Sequence, residues 1–328
     1  MNEGITEAEW SAAVAAIHSA VTADDTILLV CHVNPDGDAL GSMLGVAQAL
    51  VALGSTRLQA TFPGPLTIPE PFAPMPGLHL LVAEDQAMAR PDLLITFDAA
   101  SESRLGKLRD RLETSGDSIV LDHHASFTGF GRHQLVAPTS AATAVIAAEL
   151  VDRLGVALDR SIAECLYVGV ITDTGSFRYE LTTPAVHRLA ARLVETGINP
   201  GEVSQRIFDS RTFGAVKLYG EVLSRAVLET EKRLVWTVAT LDDLKRHDQP
   251  AHVLEGLIDG IRCTVEADVA CLLKQVAPDE WSVSMRGRGG ADVSRVAIAL
   301  GGGGHRLAAG FTGRGSADEV MDQIRAAL

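Results

Sequence analysis

The chain has 328 residues, 47% of them hydrophobic, which suffices for a core in each of two domains. Its 28 basic against 42 acidic residues give a net charge of −14, and this excludes the broad basic face with which proteins hold long nucleic acid by neutralising phosphates. Cys31, Cys165, Cys263 and Cys271 are far apart without a CxxC pair, so neither a zinc ribbon nor a disulfide framework is indicated; no signal-peptide core and no apolar run of about 18 residues occurs, so a cytoplasmic protein that avoids the membrane is expected.

In chain order, residues 6–21 predict an amphipathic helix with Thr6 and Glu9 at capping-box spacing. Ile27–Cys31 (ILLVC) reads as a fully buried strand and residues 39–53 as the helix after it. Between them, His32, Asp36 and Asp38 fall within seven residues at the carboxyl end of the strand, where open α/β sheets bind ligands. Pro35 and Gly37 shape the turn so that Asp36 and Asp38 can aim at neighbouring points, although helix capping and an Asx-turn are equally ordinary fates for these residues. Six prolines in residues 62–78 predict a rigid surface loop.

Two more apolar strands follow. Residues 92–97 end in Asp98, and residues 118–121 end in Asp122-His123-His124, with a helix predicted over 103–113 between them. An apolar helix over 141–154 and a buried helix over 163–171 lead to Asp173 in the segment TDTGSF. The alternation predicts a doubly wound parallel sheet. Further on, residues 185–196 and 204–228 read as helical, while Leu234–Ala239, residues 267–275 and residues 281–285 read as strands of a smaller mixed sheet. The helix over 291–300 is ended by Gly301-Gly302-Gly303-Gly304, followed by His305 and Arg306. Such a glycine run lets backbone N–H groups approach an anion, and His305, Arg306, Arg286 and Arg262 would add side-chain donors; a flexible hairpin is the plainer alternative.

Carboxylates gathered at successive strand ends would repel one another unless a cation neutralised them. A donor set of His and Asp without Cys suits manganese or magnesium better than structural zinc, and two ions bridged by a carboxylate suit phosphoryl transfer.

The series His32-x3-Asp36-x-Asp38, Asp98, Asp122-His123-His124 and Asp173 resembles the four motifs of the DHH phosphoesterase superfamily. The segment GGGGHRLAAGF resembles the signature of the DHH-associated substrate-binding domain, and the branch nearest in pattern is the bacterial nanoRNase and phosphoadenosine-phosphate phosphatase group. The resemblance implies an α/β fold with a metal-binding catalytic domain over residues 1–185, a helical linker over 186–215, a smaller substrate-binding domain over 216–328, and an active site in the cleft. It implies two Mn2+ ions, or Mg2+ or another divalent ion, one on His32, Asp36 and Asp98 and one on Asp38, Asp98, His123 and Asp173, with Asp98 bridging. Asp122 would orient ligands and His124 would contact the scissile phosphate; Arg286, Gly302, Gly303, Gly304, His305 and Arg306 would bind substrate. The implied activity is hydrolysis of short oligoribonucleotides, with phosphoadenosine phosphate and cyclic dinucleotides as further substrates, by a homodimer. Phe127, where relatives often carry Asn, and Gly287, where they often carry Ser, depart from the pattern. The same core also serves inorganic pyrophosphatases, which resemble a different carboxyl-terminal domain, and a nucleotide sensor would be expected to have lost at least one of these ligands.

Overall fold

The computed structural model describes residues 4–328, and the chain divides into two compact units, the first ending at Ser210 and the second beginning at Arg211. The first unit runs α1 (Glu7–Thr22), β1 (Ile27–Cys31), α2 (Gly37–Ala52), β2 (Leu58–Thr61), β3 (Leu93–Phe97), α3 (Asp110–Thr114), β4 (Asp117–Asp122), β5 (His133–Val136), α4 (Thr143–Arg153), α5 (Arg160–Asp173), α6 (Pro184–Glu195) and α7 (Pro200–Phe208). Its five strands are parallel in the order β2-β1-β3-β4-β5.

Every residue of β1 and β3 is buried, as the unbroken apolar runs predict for strands covered on both faces. Leu29, Cys31, Ile95, Phe97 and Leu121 enter the core shared with the buried faces of α1, α2, α4 and α5. Leu28, Val30, Leu94 and Val120 face the opposite way, onto Leu105, Leu108 and Phe130. The chain leaves β1 toward β2 on one side and returns to β3 on the other. The carboxyl ends of β1 and β3 therefore flank a topological switch point, the place where such sheets form a binding crevice.

Helix α2 carries Gly37, Gly41 and Gly45 at four-residue intervals. A Cβ on Gly41 would lie 2.4 Å from the Cys165 carbonyl oxygen and 2.9 Å from the Gly169 nitrogen, and one on Gly169 would lie 2.8 Å from Asp38 Oδ1. The missing side chains let α2 and α5 approach until Asp38 is fully buried between backbones.

Three local features depart from the sequence expectation. Residues 103–113 form no single helix but a 3-10 segment, Glu102–Arg109, kinked at Gly106 (φ 53°, ψ −131°), followed by the short α3. A Cβ on Gly106 would lie 2.8 Å from Pro63, so glycine answers both the backbone bend and the contact. The edge strands β2 and β5 carry half-buried polar residues and gave no apolar run to read. Residues 204–228 are likewise not continuous: α7 ends at Phe208, Thr212 caps a new helix, and Val227–Glu229 is a strand.

The second unit runs α8 (Phe213–Ser224), β6 (Val227–Glu229), β7 (Leu234–Ala239), α9 (Leu241–Arg246), α10 (Ile258–Ile261), β8 (Val269–Ala277), β9 (Glu280–Gly287), α11 (Val293–Ala299), β10 (Gly303–His305), β11 (Ala308–Arg314) and α12 (Ala317–Ala327). Its sheet, in the order β10-β11-β9-β8-β7-β6, is mixed: β7 and β8 are parallel and the other pairs antiparallel. Along β9, Trp281, Val283 and Met285 are buried and alternate with half-buried residues. Those three pack with the apolar faces of α11 and α12. Leu218 and Val222 of α8, with Ile258 and Ile261 of α10, form a separate core with Val235 and Leu272.

Candidate metal centre

The register of the parallel sheet aligns Cys31 with Phe97 and Phe97 with Leu121, so the residues that follow, His32, Asp98 and Asp122, leave three adjacent strands side by side. Asp36 and Asp38 stand at the start of α2 and Asp173 ends α5. All the metal ligands expected from the sequence come together in this unit. His32, Asp36 and Asp98 each offer a ligand atom within 4.8 Å of one another, as do Asp38, His123 and Asp173, and Asp98, Asp122 and His124.

Asp98 occupies the centre. It is 2% exposed, its Oδ2 lies 3.5 Å from His32 Nε2, and its Oδ1 lies 3.5 Å from His123 Nε2. His32 Nε2 is also 3.8 Å from Asp36 Oδ2, and His123 Nε2 is 3.0 Å from Asp173 Oδ2 and 3.9 Å from Asp38 Oδ2. Both imidazoles are fixed from behind: Nδ1–H of His32 donates to the Val33 carbonyl at 2.8 Å, and Nδ1–H of His123 to the Ser140 carbonyl at 3.1 Å. Nε2 of each ring therefore faces the carboxylates, and a ring that gives up its Nε2 proton there has the tautomer a cation ligand requires.

The capping alternative is also realised, by the same residues. Asp36 Oδ1 accepts from the N–H groups of Asp38 and Ala39, each at 3.0 Å, while its Oδ2 faces His32. Asp38 accepts from Thr143 N–H at 2.6 Å and Ala144 N–H at 2.8 Å, at the amino end of α4. Asp122 accepts from Ala100 N–H at 2.5 Å and, through Oδ1, from the His124 backbone at 2.6 Å and His124 Nδ1 at 2.9 Å. It thereby sets the orientation of the His124 ring.

Thr143 is a further residue of the site that no sequence motif marks. Its hydroxyl donates to Asp98 Oδ1 at 2.9 Å while its N–H serves Asp38, so one residue orients two carboxylates. The only signal was its place at the start of an apolar helix. The backbone at the centre is also unusual: Asp98 and Ala100 have φ of 57° and 48°, a left-handed conformation uncommon for non-glycine residues. Asp98 N–H is anchored to the Leu121 carbonyl at 2.9 Å, which holds that conformation against β4.

The electrostatics show what the cluster lacks. Burial opposes the charging of His32, yet Asp36 and Asp98 overcome it and raise its pKa to about 9. Burial likewise opposes His123, but Asp173 above all pushes it well above the ordinary range. Burial, then Asp173 and Asp98, push Asp38 well up, and burial raises Asp173. For Asp98 burial is outweighed by His124, His32 and His123, which hold it well below the carboxylate range. Two imidazoles and two carboxyl groups are thus driven to hold protons within a surplus of negative charge. Divalent cations would satisfy the same demand, and the His and Asp donors fit a borderline-hard ion.

The substrate-binding residues expected in the second unit lie on β9 (Arg286), on β10 and just before it (Gly302, Gly303, Gly304, His305), and in the turn that joins β10 to β11 (Arg306). Gly303 pairs with Gly310, Gly304 with Ala309 and His305 with Ala308. A Cβ on Gly302 would lie 2.1 Å from the Gly310 carbonyl oxygen, and one on Gly304 would lie 2.6 Å from Ala308 O, so the hairpin itself demands those glycines. A Cβ on Gly303 would meet nothing within 4 Å. Arg286 Nη1 donates to the Met285 carbonyl at 3.0 Å and Arg306 Nη2 to the Gly289 carbonyl at 3.2 Å. Of the two departures from the motif pattern, Phe127 packs against Phe130 with ring centroids 5.1 Å apart, and Gly287 N–H donates to the Leu307 carbonyl at 2.9 Å.

Residues 26–170 match the DHH family, N-terminal domain, and residues 232–328 match the DHHA1 domain. Over 303 residues the chain is 33% identical to the bifunctional oligoribonuclease and PAP phosphatase NrnA of Thermus thermophilus, covering 92% of this chain and 89% of that protein. It is 25% identical to the protein of the same name from Bacillus subtilis, covering 87% and 88%. The fold superposes on an exopolyphosphatase-related protein from Bacteroides fragilis with a TM-score of 0.89 at 23% identity, covering 100% of this chain and 97% of that one. With the clustered ligands at the switch point, these likenesses define a hydrolase acting on phosphoester bonds, of the kind that uses divalent metals. The chain belongs to the DHH family of phosphoesterases and carries the DHHA1 domain of that family.

Proposed function

We propose that this chain is a manganese-dependent hydrolase that converts short oligoribonucleotides to nucleoside 5′-monophosphates, acts also on phosphoadenosine phosphate and cyclic dinucleotides, and works in the cytoplasm as a homodimer. The observation that carries the reading is Asp98, whose two oxygens each face a separate imidazole 3.5 Å away. A carboxylate so placed would serve two cations, one held with His32 and Asp36, the other with Asp38, His123 and Asp173. Such ions, when bound, supply the Lewis acidity that polarises a phosphoryl oxygen and acidifies water.

The protein's own groups do the rest. Thr143 and the amino end of α4 hold Asp98 and Asp38 in place, and the Val33 and Ser140 carbonyls hold the two imidazoles. Asp122 positions His124 to donate to a non-bridging phosphoryl oxygen as charge accumulates there. In the domain over residues 216–328, Arg286, Gly302, Gly303, Gly304, His305 and Arg306 bind the nucleotide end of the substrate; the open space at Gly303 and the donors beside it support that role. The names of the oligoribonuclease and PAP phosphatase relatives support the substrate class, and homodimer and cytoplasm are what the family resemblance implies.

With a net charge of −14 the chain has little with which to hold the remainder of a polymer. Comparing kcat/KM for di- to tetranucleotides with that for a chain of about twenty nucleotides, at two salt concentrations, tests the reading. Short substrates should be cut much faster and show a shallow salt dependence. Equal or faster cleavage of the long chain would overturn it.

A further inference from the structure

Arg104 belongs to none of the motifs above. It lies six residues after Asp98, in the 3-10 segment Glu102–Arg109, and its carbonyl accepts from Val33 N–H at 2.9 Å. Val33 is also the residue whose carbonyl fixes His32, so the backbone of Arg104 is tied directly to the turn that holds a metal ligand. The guanidinium stands close enough to the His32 ring to oppose its protonation.

Its side chain is otherwise unused. Nε of Arg104 is buried and has no hydrogen-bond acceptor among the described residues. A buried donor left in that state costs about 1–3 kcal/mol, and a guanidinium carries the rigid fork of N–H groups that matches a phosphate. The neighbouring carboxylates are already engaged. Asp36 serves the start of α2 and His32, Asp122 serves Ala100 and His124, and Asp98 faces three imidazoles. A guanidinium with a buried, unanswered Nε–H next to the turn that holds His32 is suited to an anion that arrives from outside.

We propose that Arg104 binds the phosphoryl group being hydrolysed, donating from its guanidinium to a non-bridging oxygen beside the His32–Asp36–Asp98 cluster, and that it holds the phosphate of the nucleoside monophosphate product in the same way. The inference rests on reading the site as that of a phosphoester hydrolase, and a binding measurement separates the two. In the manganese-loaded full chain, Arg104→Lys and Arg104→Ala should keep the wild-type manganese stoichiometry and affinity. The affinity for AMP, measured by calorimetry, should fall about tenfold in Arg104→Lys and more in Arg104→Ala, with a matching loss of kcat/KM on a phosphorylated dinucleotide. Guanidinium ion at millimolar concentration should restore part of the activity of Arg104→Ala and none to wild type, a rescue that a purely structural residue would not show.

AMP affinity within about twofold of wild type in both variants would overturn the proposal, since a charge-assisted phosphate contact is worth more than that. Loss of manganese in the charge-conserving Arg104→Lys would also overturn it, by making Arg104 a support for His32 instead. If the wild-type protein cleaved none of the substrates, the reading of function would fail, while the AMP titration would still decide the role of Arg104.

Discussion

The two sheets use their residues differently. In the parallel sheet, β1 and β3 are buried on both faces, and the candidate metal ligands fall where each strand stops: His32, Asp98 and the Asp122-His123-His124 triplet. In the mixed sheet, β9 alternates buried and half-buried residues, and the expected substrate-binding groups lie along strands and in a hairpin. A sheet with no free face can offer a ligand only its ends, which concentrates charge and forces it to be compensated. A sheet with one less covered face can offer a surface, and its groups need no such compensation. The first unit should therefore respond to substitution through cations, the second through substrate.

The largest contrast should come from Asp98→Asn. It removes the carboxylate proposed to be shared and should lower kcat on a phosphorylated dinucleotide at least about a hundredfold, since both cations would lose a ligand. Retained turnover above a hundredth of wild type would equalise the two units. Next is the pH dependence of the cation-free protein. His32 has a folded pKa raised from 6.5 to about 9, so the stability it contributes is complete below pH 6.5 and is lost as pH rises to about 9; His123 acts in the same sense. That loss is on the order of 3 kcal/mol for His32, and thermal melts across this window should show it in chelator and not with manganese. A flat cation-free profile would mean that the cluster carries no surplus charge.

Packing should follow the same division. Gly41→Ala in α2 pushes a methyl against the Cys165 carbonyl and the Gly169 backbone, neither of which can turn aside, and should cost about 1–3 kcal/mol by denaturant titration. In the second unit, His305→Ala should leave manganese content intact and raise KM about tenfold, a loss of about 1.4 kcal/mol in binding. Lost manganese there would blur the assignment of roles. The smallest effect is Gly220→Ala in α8, where a Cβ meets nothing within 4 Å and which should stabilise the chain by up to about 1 kcal/mol.

What the sequence made legible follows from the same contrast. Uninterrupted apolar runs such as Ile27–Cys31 announce a strand covered on both sides, and a His or Asp directly after such a run has only the crevice to occupy. The edge strands β2 and β5 were not legible because partial burial leaves polar residues within them. The break after Phe208 was hidden because Ser204 to Leu228 keeps a helical composition on both sides of the Thr212 cap. Thr143 was invisible for another reason: its two hydrogen bonds, to Asp38 and Asp98, span 105 and 45 residues of sequence. Arg104 shows no local pattern either, since an unpaired guanidinium is recognised only once its surroundings are in place.

On the proposed reading, Asp98 joins two cations in one centre. Titrating the cation-free protein with Mn2+ and recording its electron paramagnetic resonance tests this directly. Two ions per chain and the spectrum of a spin-coupled pair are expected, with the coupling abolished in Asp98→Asn. A single bound ion, or two ions whose spectra are those of isolated Mn2+, would contradict it.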